Sequence, residues 1–123
     1  MNDKIIPTEY EECLALVDYL NLKKIKHTHI ASETYTTSWN QKRKNKASGV
    51  QKGFPDYVLF IDAYQSAVNY PILVLIEMKR QKLSHTSPEQ LEWITALNKV
   101  KNVQAHICKG FHEARQVIDK YVI

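Results

Sequence analysis

A chain of 123 residues with 44% apolar and 24% charged side chains has the make-up of one globular domain with its own core. Its two cysteines, Cys13 and Cys108, are too few for a disulfide framework and fit small buried hydrophobes in a reducing compartment. No apolar run approaches the ~18 residues of a membrane span, and no apolar segment follows a basic start, so neither a span nor a signal peptide is expected.

In chain order, residues 8–20 place Tyr10, Cys13, Leu14, Leu16, Val17 and Leu20 on a broad helical face. Thr8, with Glu11 three residues on, makes a capping box that starts this helix. Residues 25–30 alternate weakly and read as a strand. Residues 31–53 are polar and loop-like, with a short helical piece near 38–46. Residues 56–62, Asp-Tyr-Val-Leu-Phe-Ile-Asp, read as a strong strand. A connection follows to Pro71, and residues 72–79 form a second strand, apolar enough to be buried on both faces. Residues 87–100 form a helix with Ser87 as N-cap and Pro88 at its first position; Leu91, Ile94, Leu97 and Val100 make its expected buried stripe. Residues 103–108 are a short strand and 111–122 a terminal helix. The order α-β-β-β-α-β-α gives an α/β layered fold with a mixed central sheet flanked by helices, in one domain over 1–123.

The two strong strands carry chemistry. If they pair as an antiparallel hairpin, the midpoint between Asp56 and Glu77 falls inside the 63–71 connection. The two carboxylates then face each other at one end of the sheet. Such a pair destabilises itself unless a cation compensates. Lys79, two residues past Glu77, points to the same sheet face. Two carboxylates and an ammonium at one strand end suit Mg²⁺ and phosphodiester chemistry. A Glu-x-Lys strand ending and an Asp after proline also occur as plain polar punctuation.

The run Gly53-Phe54-Pro55-Asp56, then Glu77-Met78-Lys79, then Ser87-Pro88-Glu89-Gln90 resembles the VRR-NUC (virus-type replication-repair nuclease) family of the PD-(D/E)XK nuclease superfamily. The resemblance covers nearly the whole chain. It implies a restriction-endonuclease-like core and a DNA endonuclease dependent on Mg²⁺ or Mn²⁺. It further implies a structure-selective enzyme that acts on branched DNA such as four-way junctions. Small members of the family resemble phage or prophage proteins and tend to be homodimers. The implied metal ligands are Asp56, Glu77, the backbone carbonyl of Met78 and a glutamate of the first helix. Lys79 is the implied catalytic lysine, and Gln90 the implied helix glutamine facing the site. Gln90 is equally placed to close a capping box with Ser87. For the helix glutamate, Glu9 fits best, Glu12 is the runner-up, and Glu11 is already explained as a capping partner; any of the three also suits the helix dipole.

The net charge of +4 is local. Between Glu33 and Asp56 there is no acid, while Lys42, Arg43, Lys44, Lys46 and Lys52 supply five cations, without which the charge would be −1. Such a cluster neutralises DNA phosphates without reading sequence. Tyr35, Trp39 and Phe54 are interleaved with it and suit base stacking or wedging at a junction. A charge run is otherwise a solvated loop. His27 and His29 share one face of a strand, a spacing that can hold a transition metal. With no cysteine or carboxylate nearby, they are expected to be surface histidines. His85 lies between Lys79 and the following helix and is expected to touch DNA or nothing. With only three glycines there is no phosphate loop. The sequence thus points to an endonuclease free of membrane and organic cofactor, in the cytoplasm of a bacterial or phage-infected cell. A non-catalytic basic DNA-binding module of the same fold, or a restriction-type sequence-specific enzyme, are the alternatives.

Overall fold

The computed structural model describes residues 5–30 and 38–123. Its elements run α1 (Glu9–Leu22), β1 (Lys26–His29), α2 (Trp39–Ala47), β2 (Tyr57–Ile61), β3 (Ile72–Lys79), α3 (Pro88–Leu97), β4 (Val103–Lys109) and α4 (Phe111–Tyr121). The expected short helical piece is α2, started by Ser38, whose hydroxyl accepts from Gln41 N. Tyr35 and Glu33 lie outside the described residues.

The sheet order is β1-β2-β3-β4. β2 pairs antiparallel with both β1 and β3, and β3 pairs parallel with β4. The sheet is therefore mixed, and β3, the most apolar strand, sits inside it. Its alternate side chains Ile72, Val74, Ile76 and Met78 join the main core with Leu59 and Ile61 of β2, Leu16 and Leu20 of α1, and Ala114 and Ile118 of α4. The chain after Tyr121 returns to the β2–β3 connection, where Val122 bridges Ser66 and Ile123 N donates to Gln65 O at 2.9 Å.

Two expected apolar faces are corrected. In α1 the buried side chains are Glu12, Leu16, Tyr19 and Leu20, while Tyr10 is 71% exposed and Leu14 48%. The helix is turned so that Tyr19 meets Phe111 of α4, edge to face at 5.7 Å, and its hydroxyl donates to Asp119. Tyr10 and Leu14, one turn apart, are left on the outer flank. In α3 no residue is fully buried; Leu91 and Val100 are about half open, at 53% and 54%, and Val100 lies past the helix end. Among the described residues α3 packs chiefly on β4, and Gln90, Trp93, Ile94 and Leu97 are partly covered, while Leu91 and Val100 lie to the side.

Candidate active site

Asp56 is delivered by a segment pinned onto α3. Gly53 has φ +90°, and a Cβ there would lie 2.7 Å from Glu89 C and 2.8 Å from Gln90 N, so only glycine lets the backbone pass this close. Phe54 meets Trp93 edge to face at 5.0 Å, and Trp93 Nε1 donates to Lys52 O at 3.0 Å. Pro55 is fully buried. Asp56 then stands at the mouth of β2, its backbone oxygen accepting from Ile30 N and its Oδ2 from Met78 N at 3.1 Å.

The hairpin register runs from Tyr57↔Ile76 to Ile61↔Ile72. One further step puts Asp56 opposite Glu77, the juxtaposition expected from the sequence. Glu77 is only 6% exposed. Its Oε2 accepts from Gln90 Nε2 at 3.1 Å and lies 3.8 Å from Lys79 Nζ. Lys79 shares its face through strand alternation. Met78 lies between them with its side chain in the core and its N–H on Asp56. Gln90 also closes the Ser87 capping box: Ser87 N donates to its Oε1 at 3.0 Å, and Gln90 N donates to Ser87 Oγ at 3.2 Å. One amide therefore serves the helix start and Glu77 together.

The electrostatics follow from crowding. Burial first, then the facing Asp56, pushes the Glu77 carboxyl up to about 8, despite the opposing pull of Lys79. Burial also raises Asp56, while the Met78 N–H and the charge of His29 hold it back. Each carboxyl shifts the other, Asp56 raising Glu77 and Glu77 lowering Asp56, so the two titrate as a pair. A buried pair with one ammonium nearby presents hard oxygens and too little positive charge. That donor set fits a divalent cation of the Mg²⁺ kind.

The three glutamates of α1 separate. Glu11 closes the Thr8 capping box, with Thr8 N donating to its Oε1 at 2.9 Å. Glu12 is buried and accepts from Phe111 N at 3.2 Å and Gln81 Nε2 at 3.1 Å. It caps α4 from a distance, where Gly110 offers no side chain. Glu9 stands at the open rim, where partial burial and then Asp56 raise its pKa and Lys79 lowers it. Among the described residues no three His, Cys, Asp or Glu side chains converge as a ready-made metal cage. Glu9 therefore faces Asp56 across a gap, and a cation here would rest chiefly on Asp56 and Glu77 and keep water or phosphate oxygens around it.

Several neighbours went unread in the sequence. His29 pairs in register with Tyr57 and stacks on its ring at 4.7 Å. Tyr57 and Cys13 lie close enough to shift each other, and burial raises both. Their signal was adjacency: Tyr57 follows Asp56, and Cys13 lies one turn after Glu9. Lys109 pairs with Lys79 across the parallel β3–β4 ladder. His27 Nδ1 bonds the Ile25 carbonyl just before β1, and His85 is exposed.

The cations Lys42, Arg43, Lys44 and Lys46 lie on α2, which has no buried residue; Lys52 is exposed in the segment that follows. Lys42 Nζ stands 5.3 Å over the Trp39 ring, itself 76% exposed. A cleft of 780 Å³ runs between Lys52 and the outer flank of α3, past Glu89, Leu91 and Trp93. It is separate from the carboxylates.

A profile of the VRR-NUC domain matches residues 4–112. Among solved structures, a VRR_NUC domain protein is 25% identical, with a TM-score of 0.71 over 96% of this chain and 90% of that one. No curated protein matches. Asp56, Glu77, Lys79 and Gln90 all fall within the matched span, and the chain belongs to the VRR-NUC domain family, a family of nucleases.

Proposed function

We propose that this protein is a structure-selective DNA endonuclease, dependent on Mg²⁺ or Mn²⁺, that cuts branched DNA such as four-way junctions as a homodimer. The observation that carries the reading is the meeting of Asp56 and Glu77 across the β2–β3 hairpin, with Lys79 and Gln90 both on Glu77.

Asp56 and Glu77 are the groups that would hold a divalent ion, with the Met78 carbonyl and Glu9 completing the family's set. When bound, the ion would polarise the phosphodiester and lower the pKa of a water. The chain's own contributions are positional. Gln90 holds the Glu77 carboxyl in one orientation, and Met78 N–H does the same for Asp56. Lys79 offers an ammonium at the reacting phosphate, where negative charge grows as water adds to phosphorus and the bond to the leaving sugar oxygen breaks. Lys42, Arg43, Lys44, Lys46 and Lys52 lie on the exposed approach and suit phosphate contacts, with Trp39 available for stacking on unpaired bases.

The test is cleavage of four-way junction, flap and plain duplex DNA in Mg²⁺ or Mn²⁺ by the wild type, Glu77→Ala and Lys79→Ala. Both variants should fold, keep salt-sensitive binding and lose at least ~10²-fold in rate. Undiminished cutting by both would refute the mechanism. Binding without cutting by the wild type would favour a non-catalytic module.

A further inference from the structure

Among the described residues one buried side-chain donor has no partner, Arg80 Nε. A buried N–H without an acceptor destabilises the free protein, and native structures hold few of them. The ion pairs among these residues are Lys79–Glu77 and Arg115–Asp119, and Arg80 joins neither. Its backbone is nonetheless fixed. Ser84 Oγ donates to Arg80 O at 2.8 Å, and Gly110 N donates to Lys79 O at 2.9 Å. Arg80 is therefore a cation on a fixed backbone, one residue beyond the lysine of the site.

A guanidinium presents Nε–H and an outer N–H as a fork that matches two phosphate oxygens. Lys82, two residues on, is exposed, so a second cation lies close to Arg80 in the chain, while Lys109 pairs with Lys79 and lies on the carboxylate side. Successive residues leave a strand toward opposite faces. Arg80 then does not share the face of Lys79 and Glu77, and the reacting phosphate is not its ligand. We infer that the partly buried Arg80 side chain turns outward on binding to receive a neighbouring phosphate of the same DNA strand, its fork donating to the two non-bridging oxygens and giving Nε the acceptor it lacks in the free protein. The assignment rests on the nuclease reading above. It makes Arg80 a binding residue that sets which phosphate lies at Lys79.

Four-way junctions carrying a single uncharged methylphosphonate at successive positions test this, with binding followed by fluorescence anisotropy in Ca²⁺. Arg80→Ala should bind about ten- to a hundredfold more weakly. Arg80→Lys should lose much of the same affinity, because it keeps the charge but not the fork. One methylphosphonate position should weaken the wild type but not either variant. Without DNA, Arg80→Met should melt at or above the wild-type temperature, since it removes an orphaned donor. Identical methylphosphonate profiles for the wild type and Arg80→Lys would overturn the assignment. So would a lowered melting temperature in Arg80→Met with DNA binding unchanged. A wild type that binds no DNA would refute the nuclease reading, and the assignment with it.

Discussion

Glu9, Glu11 and Glu12 look alike in the sequence, three acids in the first turn of one helix, and the fold gives them three neighbourhoods. Glu11 closes a local cap, Glu12 caps another helix, and Glu9 faces Asp56. The difference is measurable. Glu12→Ala leaves the Phe111 N–H and the Gln81 amide without their acceptor and should cost about 1–3 kcal/mol of stability in urea unfolding. Glu9→Gln should cost less than about 0.5 kcal/mol, as exposed substitutions do, while lowering cleavage. The reverse pattern would exchange their roles. The sequence assigned Glu11 to the cap and ranked Glu9 above Glu12, but the role of Glu12 had no local signal, because it depends on the docking of α4, about a hundred residues away in the chain.

At the level of elements, the β2–β3 register was readable because the midpoint of Asp56 and Glu77 falls inside the connection between Ile61 and Ile72. Both strands are strongly apolar, and a one-residue slip would turn every side chain of β2 to the other face. The flanks of α3 were not readable. Apolar spacing reports that a helix has a preferred face, but not whether a neighbour covers both of its edges, and Leu91 and Val100 are left half open. The parallel pairing of Lys79 with Lys109 and the stacking of His29 on Tyr57 likewise depend on registers between elements that carry no local signal. The segment that positions Asp56 invites a paired test at two glycines of similar φ, Gly49 at +91° and Gly53 at +90°. A Cβ at Gly49 meets nothing within 4 Å, whereas one at Gly53 strikes the backbone of α3. Gly49→Ala should show only the backbone strain, about 1–3 kcal/mol. Gly53→Ala should lose more stability than this and also lose cleavage, because Asp56 and Gln90 are pushed apart. Equal losses in the two variants would show that the close approach to α3 does not matter.

For the whole molecule, the carboxylate pair links stability to pH. Glu77 rises from an ordinary 4.5 to about 8, so between those values the folded state holds a proton that the unfolded state has released. Stability from this group is full below about 4.5 and is lost as pH rises toward 8. His106, half-buried and close to Lys120, is shifted the other way from 6.5, so its contribution is lost only as pH falls below that value. Above 6.5 the trend is that of Glu77, with Asp56 and Glu9 raised in the same sense. Thermal melts without divalent ions should therefore fall between pH 6.5 and 8, and Glu77→Gln should flatten that slope. Adding Mg²⁺ should raise the wild-type melting temperature more at pH 8 than at pH 6.5, because binding to the folded state alone stabilises it. A slope that persists in Glu77→Gln would place its origin elsewhere.

The side-chain amide of Gln90 is spoken for at both ends: its oxygen accepts from Ser87 N and its nitrogen donates to Glu77. The helix start thereby fixes which way round the amide lies, and a flipped amide would turn its oxygen toward a carboxylate. The bond that holds the amide this way round comes from the backbone of Ser87, and any residue but proline would supply it. A glutamate at position 90 would keep the helix cap while setting a third acid against Glu77.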